Sequence, residues 1–440
     1  MALTALTLLI GPQAETMLDT ALRDGGASLD RLRLADVRVH PSGAVRARYI
    51  ADVRRPDGSR TCESLVAATG DHTPAEVITV VGEHHGERVN VGIWRFAQDP
   101  ALPALRVVED PARLADCLSA HGVALAGRPS IGVRAYRPAQ RAVLEVGDGR
   151  SRWFAKVVKP AAAAELRIRH DLLAERLPVP PVIAETSDGL VLLPEVPGTL
   201  LRERLISDGQ PGPTGLPAPV ELEHLLDALP EDLMRLPPQR SILQRVPDSA
   251  EVLRICAESD PSVPAQLAAE LAARAARIVE RVLTASPEPA ARVPVHGDFY
   301  HDQLLTSGSR LTGLLDVDTA GPGERVDEWA TLIGYLSVLG MSHAPARRYG
   351  DALLAFAQHR FDPRDLHRRT AAVVLGLVTG PFRVRLADWP SHTAARLALA
   401  NAFLEKMRGR SSSTPGILTP ARNPGREGRA IDPAAPQEKE

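Results

Sequence analysis

Apolar and polar positions change rhythm along this chain, and each change predicts a different kind of structure. Residues 1–128 mix two periods. The apolar run Ala2–Ile10, closed by Gly-Pro, predicts a first strand, and residues 15–23 have helical spacing. Residues 37–53 alternate as a strand pair around Pro41-Ser42-Gly43. A second turn at 54–58 leads to a strand-like return through 65–68, and 89–96 is another strand before Asp99-Pro100 and Leu102-Pro103 break it. Residues 111–121 predict a helix. From Ile131 the pattern is strand-rich: 133–136, 141–146 and 153–158 are strands, 161–175 is an Ala-rich helix, and 190–193 is a last strand before Pro194-Glu195-Val196-Pro197-Gly198. Beyond that the chain is helical, over 220–229, 264–284, 327–339, 344–358, 366–378 and 391–407. The Gly- and Pro-rich segment 208–219 predicts a mobile loop, and 410–440 a disordered tail. The fold class is α+β. A faint echo links Val37-Arg38-Val39-His40-Pro41 with Val133-Arg134-Ala135-Tyr136-Arg137-Pro138, as two similar hairpins or one duplicated.

One hairpin interrupts the helical half. Residues 304–306 and 311–315 flank Ser307-Gly308-Ser309-Arg310, with His296-Gly297-Asp298-Phe299-Tyr300-His301-Asp302-Gln303 on the way in and Asp316 at the exit. Asp298, Gln303 and Asp316 can therefore converge. A loop carboxylate, an amide oxygen and a second carboxylate suit phosphoryl transfer. Asp298 would orient the attacking hydroxyl, Gln303 and Asp316 would give magnesium hard oxygen ligands, and Asp318 would add a second-shell or second-metal carboxylate. His296 is assigned to holding the loop backbone. Lys156 lies mid-strand among apolar residues, where a charge needs a partner. Of 52 basic residues 48 are Arg, so a Lys here is a choice, and its compact ammonium suits nucleotide phosphates. Lys159, at the strand end, is the rival.

Composition narrows the classes. At 440 residues there is room for two or three domains, and a net charge of −2 gives no reason to expect nucleic acid or an anionic membrane. Cys62, Cys117 and Cys256 are odd in number and far apart, which fits a reducing cytoplasm and not a disulfide framework. The longest apolar run, near 371–378, is too short to span a bilayer. The expectation is a soluble cytoplasmic protein. Gly-x-x-x-x-Gly-Lys-Ser/Thr and Gly-x-Gly-x-x-Gly are both absent, and the adjacent histidines of Glu83-His84-His85-Gly86-Glu87 lack a third ligand.

The His-Gly-Asp run, an amide five residues after Asp298 and an Asp closing the apolar strand resemble the aminoglycoside phosphotransferase family. This is the small-molecule branch of the protein-kinase-like fold. Gln303 takes a position that is usually Asn, as in some maltokinase-type members, and Tyr300 one that is often His. The resemblance implies a β-rich small lobe over 129–197 and a helical large lobe over 198–409, with 1–128 an extra region and 410–440 a tail. It implies ATP and magnesium as cofactors and a small molecule as acceptor. It places the turn 137–141 over the phosphates with Arg141 in reach, and Glu195 and Val196 in the hinge. It also pairs Glu165 (or Asp171) with Lys156 and has Asp327 brace the catalytic loop. Of the acids after the hinge, Glu221, Glu223, Asp227, Glu231 and Asp232, the pair Glu223 and Asp227 reads as a solvated helix face, and the expected acceptor is neutral or singly charged. Two rivals remain: a non-catalytic nucleotide-binding regulatory protein of this fold, and a metal hydrolase using His296, Asp298, His301 and Asp302.

Overall fold

The computed structural model describes residues 2–71, 73–207, 215–284 and 291–407, so most of the loop expected at 208–219 and the expected tail lie outside the described residues. The chain opens with two helices, α1 (Ala2–Ile10) and α2 (Gln13–Arg23). The strand expected at Ala2–Ile10 is thus corrected to a helix. A uniformly apolar stretch carries no period of its own; here Ala5, Leu6 and Leu9 are the buried positions, a helical spacing, and Leu and Ala are strong helix formers. Five antiparallel strands follow: β1 (Ser28–Val39), β2 (Val45–Arg54), β3 (Arg60–Ala68), β4 (Ile78–His84) and β5 (Glu87–Arg95), in the order β1-β2-β3-β5-β4. Helices α3 (Leu105–Val108) and α4 (Pro111–Ala120) lead on, the second capped by Asp110, whose carboxylate accepts from the Ala112 and Arg113 amides.

A second five-stranded antiparallel sheet holds β6 (Ser130–Arg137), β7 (Arg141–Gly147), β8 (Arg152–Val158), β9 (Ala184–Glu185) and β10 (Leu190–Pro194), in the order β6-β7-β8-β10-β9. Helix α5 (Pro160–Ala174) crosses between β8 and β9. After the hinge come β11 (Thr199–Leu200), α6 (Leu201–Ile206), α7 (Pro219–Asp227), α8 (Ile242–Ser259) and α9 (Ala265–Thr284). Strand β12 (Val293–Val295) enters the candidate site. The hairpin of β13 (Leu304–Ser307) and β14 (Arg310–Leu314) follows, and β15 (Gly321–Gly323) returns to pair with β12. The chain finishes with α10 (Arg325–Leu339), α11 (Ala344–Ala357), α12 (Pro363–Gly376), α13 (Gly380–Arg383) and α14 (Trp389–Lys406). This is the two-lobed, protein-kinase-like α+β arrangement: a twisted antiparallel sheet with one crossing helix set against a helical lobe that carries the hairpin.

The central strands of the N-terminal sheet are buried on both faces. Ala47, Tyr49, Leu65 and Ile93 join a core with α1, α2 and the helical lobe, while Val66, Ala68 and Trp94 join another with α3, α4 and the small-lobe sheet. Sheet residues alternate between faces, so one strand serves two cores. The first region thus bridges the two lobes. Among the described residues no helix is long and apolar enough to cross a membrane.

Candidate active site

The loop between β12 and β13 is fixed by its backbone. Gly297 sits at φ +83°, and a Cβ there would lie 2.6 Å from the Thr319 carbonyl oxygen, so only glycine fits. The His296 ring is spent on structure: Nδ1 accepts from the Asp298 amide at 3.2 Å, which leaves Nε2–H to donate to the Leu315 carbonyl at 2.9 Å. Both ring nitrogens are thereby occupied, which removes His296 from the ligand set of the hydrolase reading. Glu328, 2% exposed, accepts from the His296 amide at 2.8 Å and the Gly297 amide at 3.0 Å. The brace expected of Asp327 falls to the next residue. Asp327 and Glu324 are held by Arg369 of α12, whereas Glu328 lies about 100° further round α10 and faces the loop. Asp298 is half-buried on this frame, and its carboxyl is pushed up to about 6. Burial is the main cause and the Asp316 carboxylate adds to it, against the pull of Arg137, Arg141 and Arg245.

Across from Asp298 lies a four-residue ionic centre. Asp316 adopts a left-handed backbone at φ 55°, which costs on the order of 1–2 kcal/mol in an L-residue and marks a position the fold over-determines. Lys156, 5% exposed on β8, donates to Asp316 at 2.8 Å and to Asp318. Arg141, at the start of β7, grips Asp316 with both terminal nitrogens at 2.7 and 2.8 Å and reaches Asp318 at 2.7 Å. Burial alone would raise the Asp316 carboxyl, but Lys156 and Arg141 hold it well below the carboxylate range. Gln303 is 6% exposed, and its backbone N–H donates to the Tyr300 carbonyl at 2.9 Å.

Some expected partners stay outside. Among the described residues Glu165 is exposed and met by Arg169, and Asp171 pairs with Arg167, while Lys156 meets Asp316 and Asp318. The reason is the face of α5. Its buried side carries Ala163, Leu166, Arg169, His170 and Leu173, and residue 165 lies off it. That side sends in Arg169, whose Nε–H donates to the Ala320 carbonyl at 3.0 Å, and His170, which meets the Pro180 carbonyl at 2.7 Å. Glu195 turns outward to Arg152, at 2.8 Å, so any contact from it to a ligand would run through its backbone. Val196 lies against β14, where a Cβ on Gly313 would come within 2.9 Å of its Cγ1.

The turn between β6 and β7 is held from the N-terminal region. Asp99, 1% exposed, accepts from the Tyr136 hydroxyl at 2.8 Å and the Ala139 amide at 2.7 Å, and Arg46 of β2 donates to the Pro138 carbonyl at 2.7 Å. Ala139 itself is left-handed at φ 56°. Nothing in the sequence tied residue 99 to residue 139; the Asp99-Pro100 pair reads as a strand breaker. Glu328 was closer to legible, one place from the acid that was expected.

Set beside proteins of known structure, the chain resembles the GDP complex of wild-type aminoglycoside 2′-phosphotransferase-IIIa (17% identity, TM-score 0.42), over 67% of this chain and 99% of that one. It also resembles a choline kinase from Cryptosporidium parvum Iowa II (10% identity, TM-score 0.47), over 68% and 97%. A third is a putative aminoglycoside phosphotransferase from Ralstonia eutropha JMP134 (13% identity, TM-score 0.44), over 68% and 98%. No curated protein matches the chain. The APH model, described as the phosphotransferase enzyme family, matches residues 138–368, a span running from the turn beside Arg141 through Lys156, Asp298 and Asp316 into α12. With more than half its length in that match, this chain belongs to the APH phosphotransferase enzyme family.

Proposed function

We propose that the protein transfers a phosphoryl group from ATP, with magnesium, to a hydroxyl group of a small metabolite. The observation that carries this reading is the placing of Asp298, a carboxyl raised to about 6, beside two carboxylates already gathered by a lysine and an arginine from the small lobe. A carboxylate near neutrality can accept the acceptor's hydroxyl proton as the oxygen attacks, and its braced loop keeps that oxygen in line. Lys156 and Arg141 are placed to turn from the acids to phosphate oxygens when a nucleotide enters the cleft. The hinge at 195–198 supplies backbone groups for the base.

The acids fit a divalent metal. Asp316 and Asp318 converge on common cationic partners, and the Gln303 amide oxygen would complete a hard oxygen set with them. Gln303, Asp316 and Asp318 would hold the magnesium, which when bound neutralises charge on the transferred group. The remaining chemistry belongs to the chain: Asp298 orients and deprotonates, and Lys156 and Arg141 bind phosphate.

A neutral or singly charged acceptor is supported by what the acids after the hinge do. Glu223 is met by Arg360 at 2.9 Å, Asp232 by Arg235 at 2.9 Å and Asp227 by Arg325 at 3.9 Å, so these carboxylates are answered within the chain. Arg137, Arg141 and Arg245 act on Asp298 as neighbouring positive charges, which disfavours a polycation there. The test is a screen of ADP release against sugars, amino alcohols, hydroxylated metabolites and aminoglycosides. Acceptor-dependent release with a neutral or monocationic compound supports the reading. Micromolar KM for a kanamycin-type compound overturns the choice of acceptor, and no release with any compound overturns the activity.

A further inference from the structure

A cavity of about 650 Å³ opens where the three parts of the chain meet, away from the Asp298 loop. Strands β1 and β2 form one wall, Ala139 and Gln140 of the β6–β7 turn another, and Val252, Cys256 and Phe382 of α8 and α13 an apolar floor. Its lining cations come from all three parts: Arg38 and Arg46 from the N-terminal sheet, Lys159 from the end of the small-lobe strand, and Arg383 from the helical lobe. Asp71 is the carboxylate on the lining, while Asp36 behind it meets both Arg38 at 3.2 Å and Arg383 at 3.5 Å. Asp99 lies near Arg46. Among the described residues the four lining cations stand against Asp71 on the lining, with Asp36 and Asp99 close to Arg38 and Arg46, and Arg137 adds a further positive charge close to Arg38.

Holding these charges together is costly. The Arg38 guanidinium is pushed down to about 10, chiefly by burial, with Arg383 and Arg137 repelling it and Asp36 offsetting part of the loss. An anion in the cavity would relieve that repulsion. The neutral polar groups on the wall, Thr69, Thr73 and Gln140, offer further hydrogen bonds. A tetrahedral oxyanion can take donors from several directions at once, as this convergence requires, and the apolar floor suits a carbon body beneath it.

We propose that this cavity is a binding site for a small organic phosphate, separate from the Lys156–Asp316 centre and built jointly by the N-terminal region and both lobes. The site adjoins the turn that carries Arg141, through Ala139 and Gln140 and through the Arg46–Pro138 hydrogen bond. An occupant is therefore in direct contact with the element that reaches Asp316. The binding proposal does not depend on the phosphotransfer reaction.

The experiment is calorimetric titration of the full chain with phenyl phosphate, and with inorganic phosphate, at constant ionic strength. Thermal unfolding checks that each variant is folded. Phenyl phosphate should bind the wild type and Lys156→Ala alike. Its Kd should rise tenfold or more in Arg38→Gln and Arg383→Gln and by a smaller factor in Lys159→Gln, which is exposed and leaves the core untouched. Arg38→Lys, which keeps the charge, should recover part of the loss. Inorganic phosphate should bind more weakly, because it leaves the apolar floor uncovered. Binding that is lost in Lys156→Ala yet kept in Arg38→Gln and Lys159→Gln assigns the phosphate to the other centre and overturns the proposal. So does the absence of binding by the wild type at millimolar phenyl phosphate.

Discussion

Two sheets in this chain share one strand order. Each is five-stranded and antiparallel, running first, second, third, fifth, fourth. The third strand of the small-lobe sheet carries Lys156 at 5% exposure, whereas the third strand of the N-terminal sheet is apolar where it is buried, through Leu65, Val66, Ala67 and Ala68. A 15-residue helix crosses between the third and fourth strands of the small lobe. In the N-terminal sheet residues 69–77 make that connection, with no helix among the described ones. The difference teaches that this topology supplies positions and not chemistry. A buried lysine is tolerable in β8 because carboxylates 160 and 162 residues away arrive beside it. The third strand of the N-terminal sheet buries no such charge; its apolar residues pack into the cores on either side, and the sheet acts on the site by holding the turn that carries Arg141.

The largest expected effect lies at the carboxylate beside those that meet Lys156. Asp298→Asn should lower phosphoryl transfer by roughly 10²–10⁴-fold with the fold intact, the usual contribution of a positioned base; turnover within a few-fold of wild type would remove Asp298 from the chemistry. The reciprocal change places a lysine in the other sheet. Val66→Lys should destabilise by about 3–5 kcal/mol, because the ammonium enters an apolar core in place of a fully buried valine. A variant as stable as the wild type in denaturant titrations would show that the N-terminal sheet can host the same charge, and the contrast would fall.

Glu328→Gln comes next. The amide can accept one of the two backbone N–H groups but sets its own N–H₂ against the other, so a loss of about 1.5–3 kcal/mol is expected, read as a lower Tm. An unchanged Tm would mean that the loop is braced elsewhere. Asp298 also links stability to pH. Its carboxyl is about 6 in the native protein against an ordinary 3.8, so between these values the folded chain holds a proton the unfolded chain has released. Stability from this group therefore falls as pH rises through that window, and Asp298→Asn should melt above the wild type at pH about 7.5, with the gap closing toward pH 4. A constant gap across that range would contradict the shift. The smallest effect tests the N-terminal hold. Asp99→Ala should raise the nucleotide KM roughly tenfold, about 1.4 kcal/mol, with kcat little changed, since the turn loses two hydrogen bonds while Asp298 keeps its frame. A fall in kcat at constant KM would place Asp99 in a different role.

Elements with a strong period or a chemical reason were legible in the sequence. The β13–β14 hairpin followed from its Gly-Ser turn, and α9, α10 and α11 from their spacing, to within about two residues. Helix α8 was passed over. Pro247 sits inside it and its composition is mixed, yet Ser241-Ile242-Leu243-Gln244 is a capping box in the structure and was there to be read. Strand β4 was missed as well; its exposed face leaves little alternation to see.

The sequence by itself determined which residues could do chemistry. A carboxylate, an amide and two more carboxylates around a hairpin, and a mid-strand lysine in a chain with four lysines against 48 arginines, are choices of residue type with few other uses. Tertiary structure decided who meets whom. Lys156 could not choose between Glu165 and the acids at 316 and 318 from spacing alone, because a helix face is fixed by what it packs on. Residue 165 fell outside the face of α5 that packs, and the loop after β14 came in beneath it. In the same way Asp99 became a clasp on a turn forty residues downstream, and Glu328 displaced Asp327 by a rotation of about 100° round α10. Long-range pairs of this kind carry no local signature, since each partner's type is compatible with many neighbours and only the packed core selects one.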